Sequence, residues 1–305
     1  MTAPLPDLRI GCSSWLDPEF IVHWYPREVK ADERLAWYAD HFDYVEVNSS
    51  FYAVPEKTTA AKWARQTPAD FLFDAKLHRA LSRHITPAGS LPPALRPARG
   101  DAETPIRLDR ALERDLAQWT REQFEPLTEA GRLGAFLLQL APHFTPQWNR
   151  LEELDGLIED LSPLPLAVEV RHRGWLAPGR REHTLSFLAA RGITLVSVDT
   201  PPIDHDTALP PDDHVTQPEL AYLRLHGRNR TGFVEGKTVA ERFNWRYEEA
   251  ELDGLTARIA ALAKRAKKVR VAANNNCKDY APRAALALRQ KLGLPPRRPR
   301  QGALL

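Results

Sequence analysis

Glu169 and Arg171 stand two residues apart in "PLAVEVRHRGW" (165–175), within a run of small and β-branched residues that reads as a core strand. A charge taken out of water is costly unless it is paired or used. A Glu-x-Arg on such a strand therefore points to an ion pair or to a site. Side chains alternate across a strand, and the same pattern recurs elsewhere. In "YVEVN" Tyr44, Glu46 and Asn48 stand opposite Val45 and Val47. In "YLRLHGR" Tyr222, Arg224, His226 and Arg228 stand opposite Leu223 and Leu225, and in "LVSVD" Ser197 and Asp199 stand opposite Val196 and Val198. Lys76 and Gln139 close two further apolar runs. If the valines and leucines face outer helices, the polar set converges on one cavity.

The residue types suit an anion. Arg171 and Arg224 are planar forks for phosphate or carboxylate, and Lys76 adds a point charge. Asn274, Asn275 and the backbone of Gly227 complete a cradle, with Asn48, Tyr52, Gln139, Asp199 and Arg228 as further contacts to a substrate. Glu46 with Glu169, or Glu169 with His226, forms an acid/base pair whose pKa values cationic neighbours push apart. Glu46, Glu169 and His226 are thus the catalytic candidates. The chemistry is metal-free cleavage, elimination or isomerisation of a small anionic, for instance phosphorylated, substrate.

Other chemistries fit less well. Glu46, Glu169, Asp199 and His226 could ligate a metal, but the arginines and Lys76 repel a cation and no HxH or HExxH spacing occurs. No metal and no cofactor is expected. His172 has outward parity; His84, in "LSRHIT", fits a cap on the site and a surface loop equally well. Two carboxylates on nearly opposite strands also fit a glycosidase. A nucleic-acid binder or repair nuclease could use Trp15, Trp24, Tyr25, Phe51, Tyr52 and Trp175 with Arg228, Arg230 and Lys237, though each aromatic is more often packing. No glycine-rich phosphate loop is present, and Ser13, Ser14, Ser49 and Ser50 lack a nucleophile-elbow context.

Eight apolar runs must position these residues: 7–12, 43–48, 70–76, 134–140, 166–171, 194–199, 221–226 and 269–274. Amphipathic stretches such as "DERLAWYADHF" and "TLSFLAARG" lie between most of them. Strands alternating with helices predict an α/β fold with a parallel sheet, and eight strands predict a closed (β/α)₈ TIM-type barrel. Residues 85–108, 200–219 and 227–246 are long connections after strands 3, 6 and 7, two of them Pro-rich. They belong at the C-terminal face, where barrel sites are built. The second leaves little room for a sixth helix. One barrel domain is expected over 1–294, with 295–305 a flexible, basic, Pro-rich tail.

Composition narrows the class. The 305 residues carry a net charge of +2 with 43% hydrophobic and 27% charged residues, a globular balance too mild to announce nucleic acid. No apolar run is long enough for a membrane span. "MTAPLPDLRIG" lacks the features of a secretory signal, and two cysteines, Cys12 and Cys277, make no disulfide framework. The expectation is a cytosolic protein with a small anionic ligand, nucleic acid not being favoured.

The same segments carry a resemblance. "IGCSSW", "WYP", "VEVNSSFYAVP", "WARQTPADFLFDAK", "GRLGAFLLQLAPHF", "AVEVRHRGW", "YLRLHGRN" and "NNNCKDYA" resemble the YecE-like family, domain of unknown function 72, over about residues 9–292. The resemblance implies a TIM-type barrel with a polar mouth and no settled activity.

Overall fold

The valine- and leucine-rich runs form eight parallel strands in the computed structural model, which describes residues 7–98 and 101–297. They are β1 (Asp7–Cys12), β2 (Tyr44–Val47), β3 (Leu72–Lys76), β4 (Leu133–Gln139), β5 (Leu166–Glu169), β6 (Thr194–Asp199), β7 (Ala221–Leu225) and β8 (Lys268–Ala273). Each pairs with its neighbours in chain order, and β8 closes onto β1. The strands are the eight expected, and the fold is the expected α/β barrel. No helix lies between β6 and β7, where the Pro-rich segment leaves backbone carbonyls instead of a helical face. None of the helices described is long and apolar enough to cross a membrane.

Register fixes which residues face inward, because paired positions of parallel neighbours share a face. Glu46 pairs with Asp74, Gln139 with Glu169, Val198 with Arg224, and Arg224 with Ala272. The inward set therefore includes Tyr44, Glu46, Asp74, Lys76, Gln139, Glu169, Tyr222 and Arg224, while Val45, Val168 and Leu223 pack outward in the core.

β6 departs from the expected parity. Val196 and Val198 share a face with Tyr222 and Arg224, so the valines point into the barrel and Ser197 and Asp199 point out. The reason is the missing sixth helix. Elsewhere the outer layer offers an apolar helix face; here Ser197 Oγ donates to the Asp212 carbonyl (2.9 Å) and Asp199 meets Arg258 of the helix Glu249–Ala263. A polar cover draws polar side chains outward.

The flanking helices follow ordinary rules. Asp109 caps Arg110–Glu129 by accepting from Leu112 N (2.8 Å), and Leu116, Phe124 and Leu127 of that helix are buried. The segment expected to be a flexible tail is anchored where it starts. Arg297 forks onto Asp70 (2.6 and 3.1 Å) and Arg289 donates to the Pro295 carbonyl. The rest of that segment, 298–305, lies outside the described residues.

Candidate active site

Arg224 is the hub of the barrel mouth. Its Nε and Nη2 grip Glu46 in a two-point fork (2.9 and 2.7 Å), and its Nη1 donates to Glu169 (2.5 Å). Tyr222 OH donates to the same Glu46 (2.9 Å) and accepts from Tyr44 OH (2.5 Å). Glu46 and Glu169 have no exposure and Arg224 has 1%, so each charge depends on the others. Three strands, β2, β5 and β7, contribute to this one network.

His226 completes it with a defined tautomer. Arg224 Nη2 donates to Asn274 Oδ1 (3.4 Å), and because a guanidinium only donates, the Asn274 amide must face the other way. That amide donates to His226 Nδ1 (2.8 Å), which leaves the ring proton on Nε2, 3.2 Å from Glu169 Oε1. Burial pulls the His226 pKa down, outweighing the attraction of Glu169, so the ring is neutral.

Glu169 also accepts from Gln139 (2.8 Å), and Arg171 Nε stands 3.6 Å away. Burial alone would raise its pKa, but Arg224, His226 and Arg171 overcome burial and hold the carboxyl well below its usual range. Such a group neither donates a proton near neutral pH nor accepts one readily. The expected Glu46–Glu169 and Glu169–His226 acid/base pairs do not suit this geometry, because Arg224 consumes both carboxylates. The same guanidinium sits between them, where a glycosidic bond would have to lie. Arg224, expected to receive an anion, has its fork already filled.

The free polar groups lie above the network, at the rim. Lys76, at the end of β3, is half-buried, and its Nζ stands 4.1 Å from the centroid of the Phe51 ring. It has no carboxylate within 4.0 Å among the described residues. Burial, then Arg224 and with a smaller part Arg171, lowers its pKa to about 7 against the pull of Glu46 and Glu169. Ser50 holds the strand end, with its Oγ 2.6 Å from the Lys76 carbonyl and 2.8 Å from that of Val47. Asn48 Oδ1 and His84 Nε2 are buried atoms without a hydrogen-bond partner among the described residues. His84 packs edge-on against Phe51 (5.0 Å), and burial with Lys76 and Arg171 lowers its pKa to about 4. It belongs to the rim. Tyr52 stands 60% exposed beside it.

A cleft of about 860 Å³ opens next to the rim and includes His84, Arg83, Arg107, Arg110 and His143. A larger one, about 1060 Å³, lies beyond β6 under the Pro-rich segment. Over the network itself, Phe243 of the connection after β7 stacks on His226 (5.6 Å, 29°).

Three expected contacts lie elsewhere. Asp199 points outward and accepts from Arg228 (2.8 Å), Tyr247 OH (2.7 Å) and Arg258 (3.3 Å). Arg228 leaves the barrel because Gly227 turns the chain at φ +85°, and it also pairs with Glu251 (3.2 Å). Strand parity does not extend past such a turn. Asn275 follows Asn274 on the opposite side, where its amide donates to the Trp245 carbonyl (2.9 Å) and ties down the same connection. Trp15, Tyr25, Phe51 and Trp175 are buried, and Trp24 packs against Tyr25 and Trp37; Tyr52 alone of the expected aromatics is exposed. Arg230 and Lys237 are exposed, and His172 turns its Nδ1 to Gly174 N (3.1 Å).

Asp199→Asn is accordingly expected to lower stability on the order of 2 kcal/mol in urea unfolding, because three donors lose a charged partner. Phosphate affinity should stay within about twofold. A large loss of affinity without a loss of stability would return Asp199 to the site.

Sequence reasoning missed two inward residues. Asp74 shares parity with Lys76, and burial pushes its carboxyl up to about 6, with Arg270 of β8 opposing. Arg270 is buried and pairs with Tyr222 in register. Both could have been found by extending the alternation down the strands, two residues from Lys76 in β3 and four from Asn274 in β8. Phe243 and Tyr247 sit in an aperiodic connection and left no such signal.

A closed parallel barrel with an ionic floor and a polar rim at the C-terminal ends of its strands is a TIM-type barrel with a candidate active site. The family model "Protein of unknown function DUF72" matches residues 9–303, and the chain belongs to that family. It is 28% identical over 273 residues to the UPF0759 protein YunF of Bacillus subtilis, spanning 88% of this chain and 89% of that one. With the UPF0759 protein YecE of Escherichia coli it shares 31% over 207 residues, covering 64% of this chain and 60% of YecE. Two crystal structures of DUF72 family proteins share the fold. That from Enterococcus faecalis V583 has a TM-score of 0.77 at 26% identity, covering 94% of this chain and 96% of that one. That from Thermotoga maritima has 0.76 at 28%, covering 94% and 99%.

Proposed function

We propose that the chain is an enzyme that holds a small anionic substrate at the barrel rim and moves a proton on it. Arg171 anchors the anion and Lys76 is the acid/base group. One observation carries the reading: two cations, Lys76 and Arg171, stand at the rim while the carboxylates beneath are engaged by Arg224. Arg171 keeps 20% of its side chain exposed, and its contact with Glu169 is too long for a hydrogen bond. An amine with a pKa of about 7 is matched to proton transfer near neutral pH. Glu46, Glu169 and His226 then act through Arg224, fixing it and setting the field around Lys76. They are positioning residues. The nucleic-acid reading gains little, because Arg228 is engaged and most of the aromatics are buried.

Calorimetric titration of inorganic phosphate and pyruvate tests this. Wild type should bind at least one, and Arg171→Leu should weaken binding about tenfold or more, the worth of one charge-assisted hydrogen bond. Solvent deuterium exchange into bound carboxylated or phosphorylated compounds should be lost in Lys76→Met. Equal affinity in wild type and Arg171→Leu would overturn the anchor.

A further inference from the structure

We infer that Lys76 is an imine-forming lysine, and that the substrate is a small anionic aldehyde or ketone. The inference rests on the anionic-substrate reading and adds the carbonyl. A lysine that merely balanced charge would sit against a carboxylate. Lys76 instead has its Nζ over the Phe51 ring, at 4.1 Å from the centroid. The charged groups that act on it from the surrounding strands are Arg224, Glu46, Glu169 and Arg171, and His84 of the following loop feels its charge. Of these, Glu46 and Glu169 are committed to Arg224 (2.7 and 2.5 Å), and Arg224 and Arg171 oppose a further positive charge. Asp74, two residues earlier on the same face, has its carboxyl pushed up to about 6 by burial. Burial and the guanidiniums of Arg224 and Arg171 favour the neutral amine with its lone pair free, against the ring face, which favours the ammonium.

The step balances within these groups. The Nζ lone pair attacks the carbonyl carbon, the C=O π electrons move to oxygen, and a carbinolamine forms. Its C–O bond then breaks, the nitrogen lone pair makes C=N, and the oxygen leaves as water carrying both amine protons. When that imine takes up a proton it becomes an electron sink for a neighbouring C–H or C–C bond. The resulting cation is unfavourable beside Arg224 and Arg171 unless the substrate brings a negative charge. A substrate anion on Arg171 supplies it, which selects an anionic carbonyl over a neutral one. Asn48 Oδ1 and His84 Nε2, the unpaired atoms at the rim, can accept from the substrate's hydroxyl or the departing water.

Trapping tests the inference on the full chain. Wild type is incubated with pyruvate or glyceraldehyde 3-phosphate, reduced with sodium borohydride, digested and mapped by mass spectrometry. The expected result is one dominant adduct on Lys76, with a rate rising through about pH 7 and competed by inorganic phosphate. Acetone, the neutral control, should label at least about tenfold more slowly. Lys76→Arg, which keeps the charge, should lose the adduct while phosphate still binds. Labelling spread over exposed lysines, or none, overturns the inference. If phosphate binds but no adduct forms, the anion site stands without covalent chemistry; if neither occurs, both readings fall.

Discussion

Arg224→Leu is expected to destabilise the protein by about 3–5 kcal/mol at neutral pH, the usual result of stripping one partner from a buried pair. The upper end is expected, because one guanidinium serves two carboxylates with no exposure of their own. The loss should depend on pH with a definite sign. In the wild type the folded Glu169 sits well below its ordinary value of 4.5, so its contribution is present above that value and fades as pH falls through the folded pKa. In the variant Glu169 stays buried with only the more distant Arg171 (3.6 Å) as counter-charge, and burial, the largest influence on it, raises its folded pKa above the unfolded one. Its cost is then full at high pH and disappears as pH falls below about 4.5. The gap between variant and wild type should therefore shrink from pH 8 to pH 5 in urea unfolding. The triple change Glu46→Gln, Glu169→Gln, Arg224→Met should recover most of the loss, since an uncharged floor needs no partner. A gap that is constant with pH, and a triple variant no better than the single, would mean that lost packing dominates.

That floor was legible in the sequence because strand alternation is a local rule with a hard consequence. Parity places Glu46, Glu169, Arg171, Arg224 and His226 at one barrel mouth, Lys76 and Gln139 join them at two strand ends, and eight runs at barrel spacing predict the fold. Parity failed where its premise failed. It assumes an apolar helix outside each strand, and β6 has the Pro-rich segment and Arg258 outside, so Ser197 and Asp199 turned outward. It also assumes extended backbone, and Gly227 ended that for Arg228. Roles were harder to read than positions. Two acids and two arginines look like an acid/base pair beside an anion cradle until their pairing is known. Arg224 takes both acids, which leaves Arg171 and Lys76 as the groups with capacity to spare. Which cation is consumed depends on distances across the barrel that no local pattern encodes.

Lys76→Met is expected to have the opposite effect from Arg224→Leu and to stabilise the protein. The folded lysine titrates near 7 and the unfolded one near 10.5. Below about pH 7 both states carry the charge, and the folded state bears the whole cost of holding it partly buried beside two arginines. Between the two values the unfolded chain binds more protons, so stability rises with pH until the amine is neutral in both states. Removing the charge should raise stability at pH 6 by on the order of 2 kcal/mol, a value reduced from the full shift because the rim is partly solvated. The gain should vanish toward pH 10.5. Effects of other groups cancel when variant and wild type are compared at each pH. Methionine fills the space of the lysine stem, so no cavity obscures the sign. A residue whose removal improves folding but ends imine trapping has a functional role, since stability gives no reason to keep it. Should Lys76→Met instead destabilise the protein at pH 6 as Arg224→Leu does, Lys76 would be a structural cation like Arg224, and the rim would have lost its reactive group.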